Sequence, residues 1–109
     1  MHELLEQLNK SFDNKFKQEV SLTEITRFSL NLHRSAAIVV TNNYIYTLSK
    51  KLFSVNVNKL PLVSLEDIFM EDKKLKLKIA GEIYRLPVAS NRKNTVMKFV
   101  NKVKALKEK

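Results

Sequence analysis

The sequence predicts an α+β fold: a strongly bent antiparallel sheet or barrel of six or seven strands, with one helix before it and a second helix capping it. Three observations carry that prediction. Apolar residues recur every four positions near the N-terminus and every second position through the middle. Near the C-terminus they fall at spacings of three and one.

The helix expected over residues 1–17 rests on Leu4, Leu8, Phe12 and Phe16, which make one apolar face, with Glu, Gln, Asn, Asp and Lys around the rest. From 20 to 90 the period is two. Ile25, Phe28, Leu30 and Leu32 lead into Ala36-Ala37-Ile38-Val39-Val40, and Asn42-Asn43 then separates that run from Tyr44-Ile45-Tyr46-Thr47-Leu48. Two such runs joined by Asn-Asn read as a hairpin, since asparagine tolerates left-handed backbone angles. Phe53, Val55 and Val57 alternate with polar residues and predict a half-buried strand. Pro61 has no N–H to give a ladder, so an edge or a break belongs there. Leu65, Ile68 and Phe69 form a further strand. Leu75, Leu77 and Ile79 then alternate with Lys74, Lys76 and Lys78, and Gly81-Glu82 turns the chain into Ile83–Val88. Ser90 or Asn91 is placed to cap a last helix over 91–108. Its apolar stripe is Val96, Phe99, Val100, Val103 and Leu106.

With 109 residues the chain is expected to form a single domain over 1–109. It has no cysteine, one glycine and two prolines. Disulfides, iron–sulfur clusters and cysteine zinc sites are thereby excluded, and so is a glycine-rich phosphate loop. His2 and His33 have no partner at metal-ligand spacing, so neither a metal nor another cofactor is expected. Glu66-Asp67 and Glu71-Asp72 read as solvated turn charges, and no nucleophile stands in a recognisable context. An enzyme is not expected. No apolar run reaches the roughly 20 residues that span a bilayer. Glu3 and Glu6 stand where a secretory leader has a basic region, which predicts a cytoplasmic protein, at most peripheral on a membrane.

Charge is unevenly placed. Residues 1–72 hold eight Lys/Arg against nine Asp/Glu, a net of −1, while residues 73–109 hold twelve against two, a net of +10. Such a basic segment attracts anionic surfaces. Alternation puts Lys74, Lys76 and Lys78 on one strand face, about 6–7 Å apart, with Arg85 expected across the hairpin.

The stretch Thr26-Arg27-Phe28, the loop His33-Arg34-Ser35, the run Ala37 to Tyr46 and the segment Leu60-Pro61-Leu62-Val63-Ser64-Leu65-Glu66-Asp67-Ile68 resemble the tail-homology domain of class I myosins. That domain has a pleckstrin-homology-like core. The resemblance covers the pattern of about residues 20–108. It implies a bent barrel closed by the C-terminal helix, and acidic-phospholipid binding through basic residues on the first strand and before the second. Arg27 and Arg34 match two of those positions, while a third falls on Ala36. Lys50 and Lys51 are candidates to compensate.

The functional expectation is therefore a non-catalytic module that associates reversibly with acidic phospholipids. Its candidate contacts are Arg27, Arg34, Lys50, Lys51, Lys74, Lys76, Lys78 and Arg85. The alternative is a protein-interaction adaptor that docks a partner through Leu4, Leu8 and Phe12. Nucleic-acid binding is less favoured, because the strand aromatics are not interleaved with basic residues.

Overall fold

The computed structural model describes residues 4–107 of the chain. Helix α1 (Lys10–Glu19) precedes strands β1 (Thr26–His33), β2 (Ala36–Thr41), β3 (Tyr44–Lys51) and β4 (Ser54–Pro61). A 3₁₀ turn at Leu62–Ser64 leads to β5 (Leu65–Glu71), β6 (Lys74–Ile79) and β7 (Glu82–Pro87), and a second at Ser90–Arg92 runs into α2 (Lys93–Lys107). The strands form two antiparallel sheets, ordered β1-β2-β3-β4 and β5-β6-β7. Among the described residues all the expected strands are present, but no closed barrel is. Pairing between Tyr44 and Pro61 ends the first sheet. Pro61 has no N–H, and the following 3₁₀ turn takes the chain out of the ladder.

The main core lies between the sheets and beneath α2. Phe28, Leu30, Ile38, Leu77, Phe99 and Val103 are among its buried side chains, and the Phe28 and Phe99 rings meet edge to face at 5.8 Å. The stripe predicted on α2 is the face that α2 buries. Neither Ser90 nor Asn91 caps that helix, since both lie within the leading 3₁₀ turn. Ala89 precedes the turn instead, and its N–H donates to Leu32 O at 2.8 Å.

A second cluster lies on the other face of the first sheet. There Phe12 and Phe16 of α1, with Leu8, cover Ala37, Val39, Tyr46 and Leu48. The first sheet is thus covered on both faces, which is why β2 reads Ala-Ala-Ile-Val-Val-Thr without alternation and is buried throughout.

The N-terminal prediction needs correction. Its positions 1–3 lie outside the described residues, as does position 108 of the C-terminal helix. Within the described part the helix starts only at Lys10. Leu4 is not on it. Residues 4–6 run beside the outer edge of β1, where Ser29 N–H donates to Leu4 O at 2.8 Å and Glu6 N–H donates to Ser29 O at 2.9 Å. Asn31 extends the strap, its Nδ2 donating to Gln7 O (2.9 Å) and its Oδ1 accepting from Asn9 N–H (3.0 Å). Backbone hydrogen bonding along an otherwise open strand edge outweighs the four-residue periodicity. Leu4 then enters the main core while Leu8 and Phe12 enter the second cluster.

The turns differ in mechanism from the sequence reading. Neither Asn42 nor Asn43 takes a positive φ. Thr41 Oγ1 instead accepts from the N–H groups of Asn43 (3.3 Å) and Tyr44 (3.1 Å), and Asn42 exchanges two 3.0 Å bonds with Ile25. The second sheet turns at Asp72-Lys73 (φ 53° and 60°) and at Ala80-Gly81 (φ 52° and 82°), one residue earlier than the expected Gly81-Glu82. Both pairs have the positive φ that two-residue hairpins favour.

Candidate functional site

Folding divides the predicted cations into three groups. Arg34 occupies the β1–β2 turn, which His33 stiffens: its Nδ1 is hydrogen-bonded with Ser35 Oγ at 2.9 Å and accepts from Ser35 N–H at 3.2 Å. Lys50 N–H donates to Ser35 O at 2.9 Å, so the end of β3 is tied directly to that turn. Arg34, Lys50 and Lys51 therefore share one end of the first sheet. Lys50 and Lys51 are both exposed.

Arg27 does not join them. It is exposed at the start of β1, where the pairing with β2 is irregular between Thr26 and Phe28. Seven residues separate it from Arg34, roughly 23 Å of extended strand. Ala36, the third position implied by the resemblance, is fully buried in the main core, where no cation fits.

The third group lies on the outer face of the second sheet. Leu75, Leu77 and Ile79 point into the core, leaving Lys74, Lys76 and Lys78 on the other face. Arg85 is directly opposite Lys76, as expected. Acidic side chains are interleaved with the stripe, however. Lys74 is opposite Glu71 and Lys78 opposite Asp67. The Lys76 ammonium bonds the Glu71 carboxylate, and that bond with the accompanying charge holds Glu71 below the usual carboxylate range. Glu66-Asp67 and Glu71 are strand residues of β5, and only Asp72 lies in a turn.

Next to Arg34, a cleft of about 380 Å³ is lined by Glu6, Asn31, His33, Asn91 and Arg92 among others. Its Arg92 guanidinium is committed to structure. Nε donates to Asn31 O at 3.0 Å, and Nη2 pairs with the Glu6 carboxylate. This joins the N-terminal strap, β1 and the start of α2.

Phe53 is the side chain that sequence reasoning misplaced most. It is not half-buried on a strand. Leu52 and Phe53 alone connect β3 to β4, with Lys51 paired to Ser54, and they are 88% and 101% exposed. The turn was hard to see because it contains no Gly, Asn, Asp or Pro. Ile25, also expected in the sheet, lies outside β1 and is exposed.

The buried carboxylate of Glu24 was likewise not foreseen. Its side chain is 2% exposed. Tyr46 OH donates to it at 2.7 Å, Thr41 Oγ1 at 2.8 Å and Ser21 N–H at 2.9 Å, with Lys59 Nζ at 3.8 Å. Burial pushes this carboxyl up, but the Ser21, Tyr46 and Thr41 hydrogen bonds and the Lys59 charge together hold it below its ordinary value. Burial and the bond to Glu24 push Tyr46 well above the ordinary tyrosine range. The cluster pins the 20–25 loop to the first sheet.

Among the described residues no three His, Cys, Asp or Glu side chains are grouped to hold a metal ion. No described helix is long and apolar enough to cross a membrane. The chain matches no family model, no curated protein and no solved structure.

Proposed function

We propose that the chain is a non-catalytic module that attaches reversibly to acidic phospholipid surfaces through the end carrying Arg34, Lys50 and Lys51. The observation behind this reading is the Ser35–Lys50 backbone bond, which ties the turn carrying Arg34 to the end of β3 that carries Lys50 and Lys51. Each basic side chain near an anionic bilayer contributes about 1 kcal/mol. Three give about 3 kcal/mol, enough for weak attachment that weakens with salt. Screening shortens the reach of each charge to about 8 Å at physiological ionic strength. Separated point charges favour negative surface charge over any single headgroup.

A pleckstrin-homology-like assignment, close to the tail-homology resemblance, is supported by a four-stranded sheet followed by a three-stranded sheet and one C-terminal helix. A cytoplasmic protein peripheral on a membrane fits this reading. A protein-adaptor reading draws support from Leu22, Ile25 and Val63, which are exposed outside the strands. It does not draw on Leu4, Leu8 and Phe12, which are spent inside the domain.

Vesicle sedimentation tests the proposal. Vesicles containing phosphatidylserine or phosphoinositides should bind the chain at low salt and release most of it at physiological salt, while phosphatidylcholine vesicles should not bind it. Arg34→Glu with Lys50→Glu and Lys51→Glu should abolish binding, and Arg27→Glu should leave it nearly intact. No binding to either anionic vesicle at any salt rejects the proposal and moves the adaptor reading to first place.

A further inference from the structure

We infer that Leu52 and Phe53 enter the bilayer, so that the β3–β4 hairpin is a membrane wedge rather than only the carrier of two lysines. This rests on the lipid-surface reading above and adds to it an apolar contact that charge alone does not supply.

Folding does not explain these two residues. Leu52 and Phe53 are 88% and 101% exposed, so they contribute nothing to either core. The backbone disfavours Leu52 too. Leu52 has φ 51°, the left-handed conformation in which hairpin connections normally carry Gly, Asn or Asp. A two-residue turn in water calls for small polar residues, and this one holds two large apolar ones. Their apolar surface is left for something outside the domain.

The surroundings select an anionic bilayer as that occupant. Lys50 and Lys51 immediately precede the tip, and successive strand residues point to opposite faces, so one ammonium lies on each side of the hairpin. Arg34 is next to Lys50 through the Ser35 bond. No Asp or Glu occurs between Arg34 and Glu66, so β2, β3, β4 and their turns carry no acidic side chain to neutralise these cations. Apolar residues at the tip with cations one step behind match a membrane interface, where acyl chains lie beneath a layer of phosphates. The chain reverses within two residues, so the turn backbone stands about 3.3 Å, one strand rise, beyond the last pair, and the exposed Leu52 and Phe53 side chains add to that reach. Interfacial segments bury their apolar side chains about 5–10 Å deep. The tip is also held in place. Eight consecutive residue pairs join β3 to β4, and Tyr46 and Leu48 of β3 are anchored beneath α1. Little ordering entropy is then lost on insertion.

The chain has no tryptophan, so Phe53→Trp in the full chain makes a single reporter at the tip. With phosphatidylcholine vesicles containing phosphatidylserine, its emission should shift to the blue and be quenched by lipids brominated on their acyl chains. Sedimentation of the variant without blue shift or quenching overturns the wedge and leaves the electrostatic reading standing. Absence of sedimentation overturns both. Leu52→Gly with Phe53→Asn puts glycine at the positive-φ position and a polar residue beside it, as the turn prefers, so folding is kept. Vesicle affinity should nevertheless fall at least tenfold, as expected for loss of two buried apolar side chains. Unchanged affinity in that double variant overturns the wedge.

Discussion

Replacing Glu24 with Gln keeps the shape of the side chain and removes its charge. In the native domain this carboxylate accepts from Tyr46 OH, Thr41 Oγ1 and Ser21 N–H at 2.7–2.9 Å. Hydrogen bonds to a charged acceptor contribute about 1.5–3 kcal/mol each, and those between neutral groups about 1 kcal/mol. Gln retains one acceptor oxygen and turns an NH₂ group toward groups that donate. The expected loss is therefore about 2–4 kcal/mol. For a domain of this size each kcal/mol moves the thermal midpoint by roughly 4–8 °C, so the midpoint should fall by about 8–32 °C. Urea unfolding followed by circular dichroism should show a lower midpoint at an unchanged slope. The pH dependence has a definite sign. The folded carboxyl is held below its ordinary value, so the stability it provides is present above the ordinary carboxylate range. That stability is lost as pH falls through the lowered folded value. The gap between wild type and Glu24→Gln should accordingly be widest near neutrality and close in acid. Equal midpoints at neutral pH, or a gap that stays constant into acid, would refute the assignment of Glu24 as an ionised clamp.

Phe99→Ala should cost about 3–5 kcal/mol, because the ring is fully buried against Phe28 beneath α2. Lys102→Ala, at an exposed position of the same helix, should leave the urea midpoint unchanged, and equal midpoints for the two variants would contradict α2 as the cap. Removing residues 1–8 strips the strap from β1 and takes Leu4 and Leu8 from the two cores. That variant should melt earlier and, with an open strand edge, self-associate in size-exclusion chromatography. Glu71→Gln should lower stability only slightly and leave vesicle binding unchanged, since the Glu71 carboxylate is exposed and Gln keeps an acceptor oxygen for the more covered Lys76 ammonium.

Sequence periodicity alone determined the class of this domain and most of its elements. In residues 74–79 alternation named both the buried and the solvated face, because β6 has one face on the core and the other in water. The stripe on α2 was legible for the same reason. Where two neighbours competed for one segment, local pattern no longer decided. Leu4, Leu8 and Phe12 share a helical spacing, yet the unpaired edge of β1 drew Leu4 into an extended strap and a different core. Ala37 and Val39 face α1 while Ala36 and Ile38 face the second sheet, a division set by which elements happen to cover β2. The candidate site depended on tertiary structure even more. Arg27 and Arg34 are seven positions apart and end far from each other, while Arg34 and Lys50, sixteen apart, become neighbours through one backbone bond. Phe53 continued an alternating apolar pattern and, together with Leu52, became a solvent-exposed turn. Periodicity reports which residues share a face. Chain reversal and the covering of each face are long-range events, and they decide what that face meets.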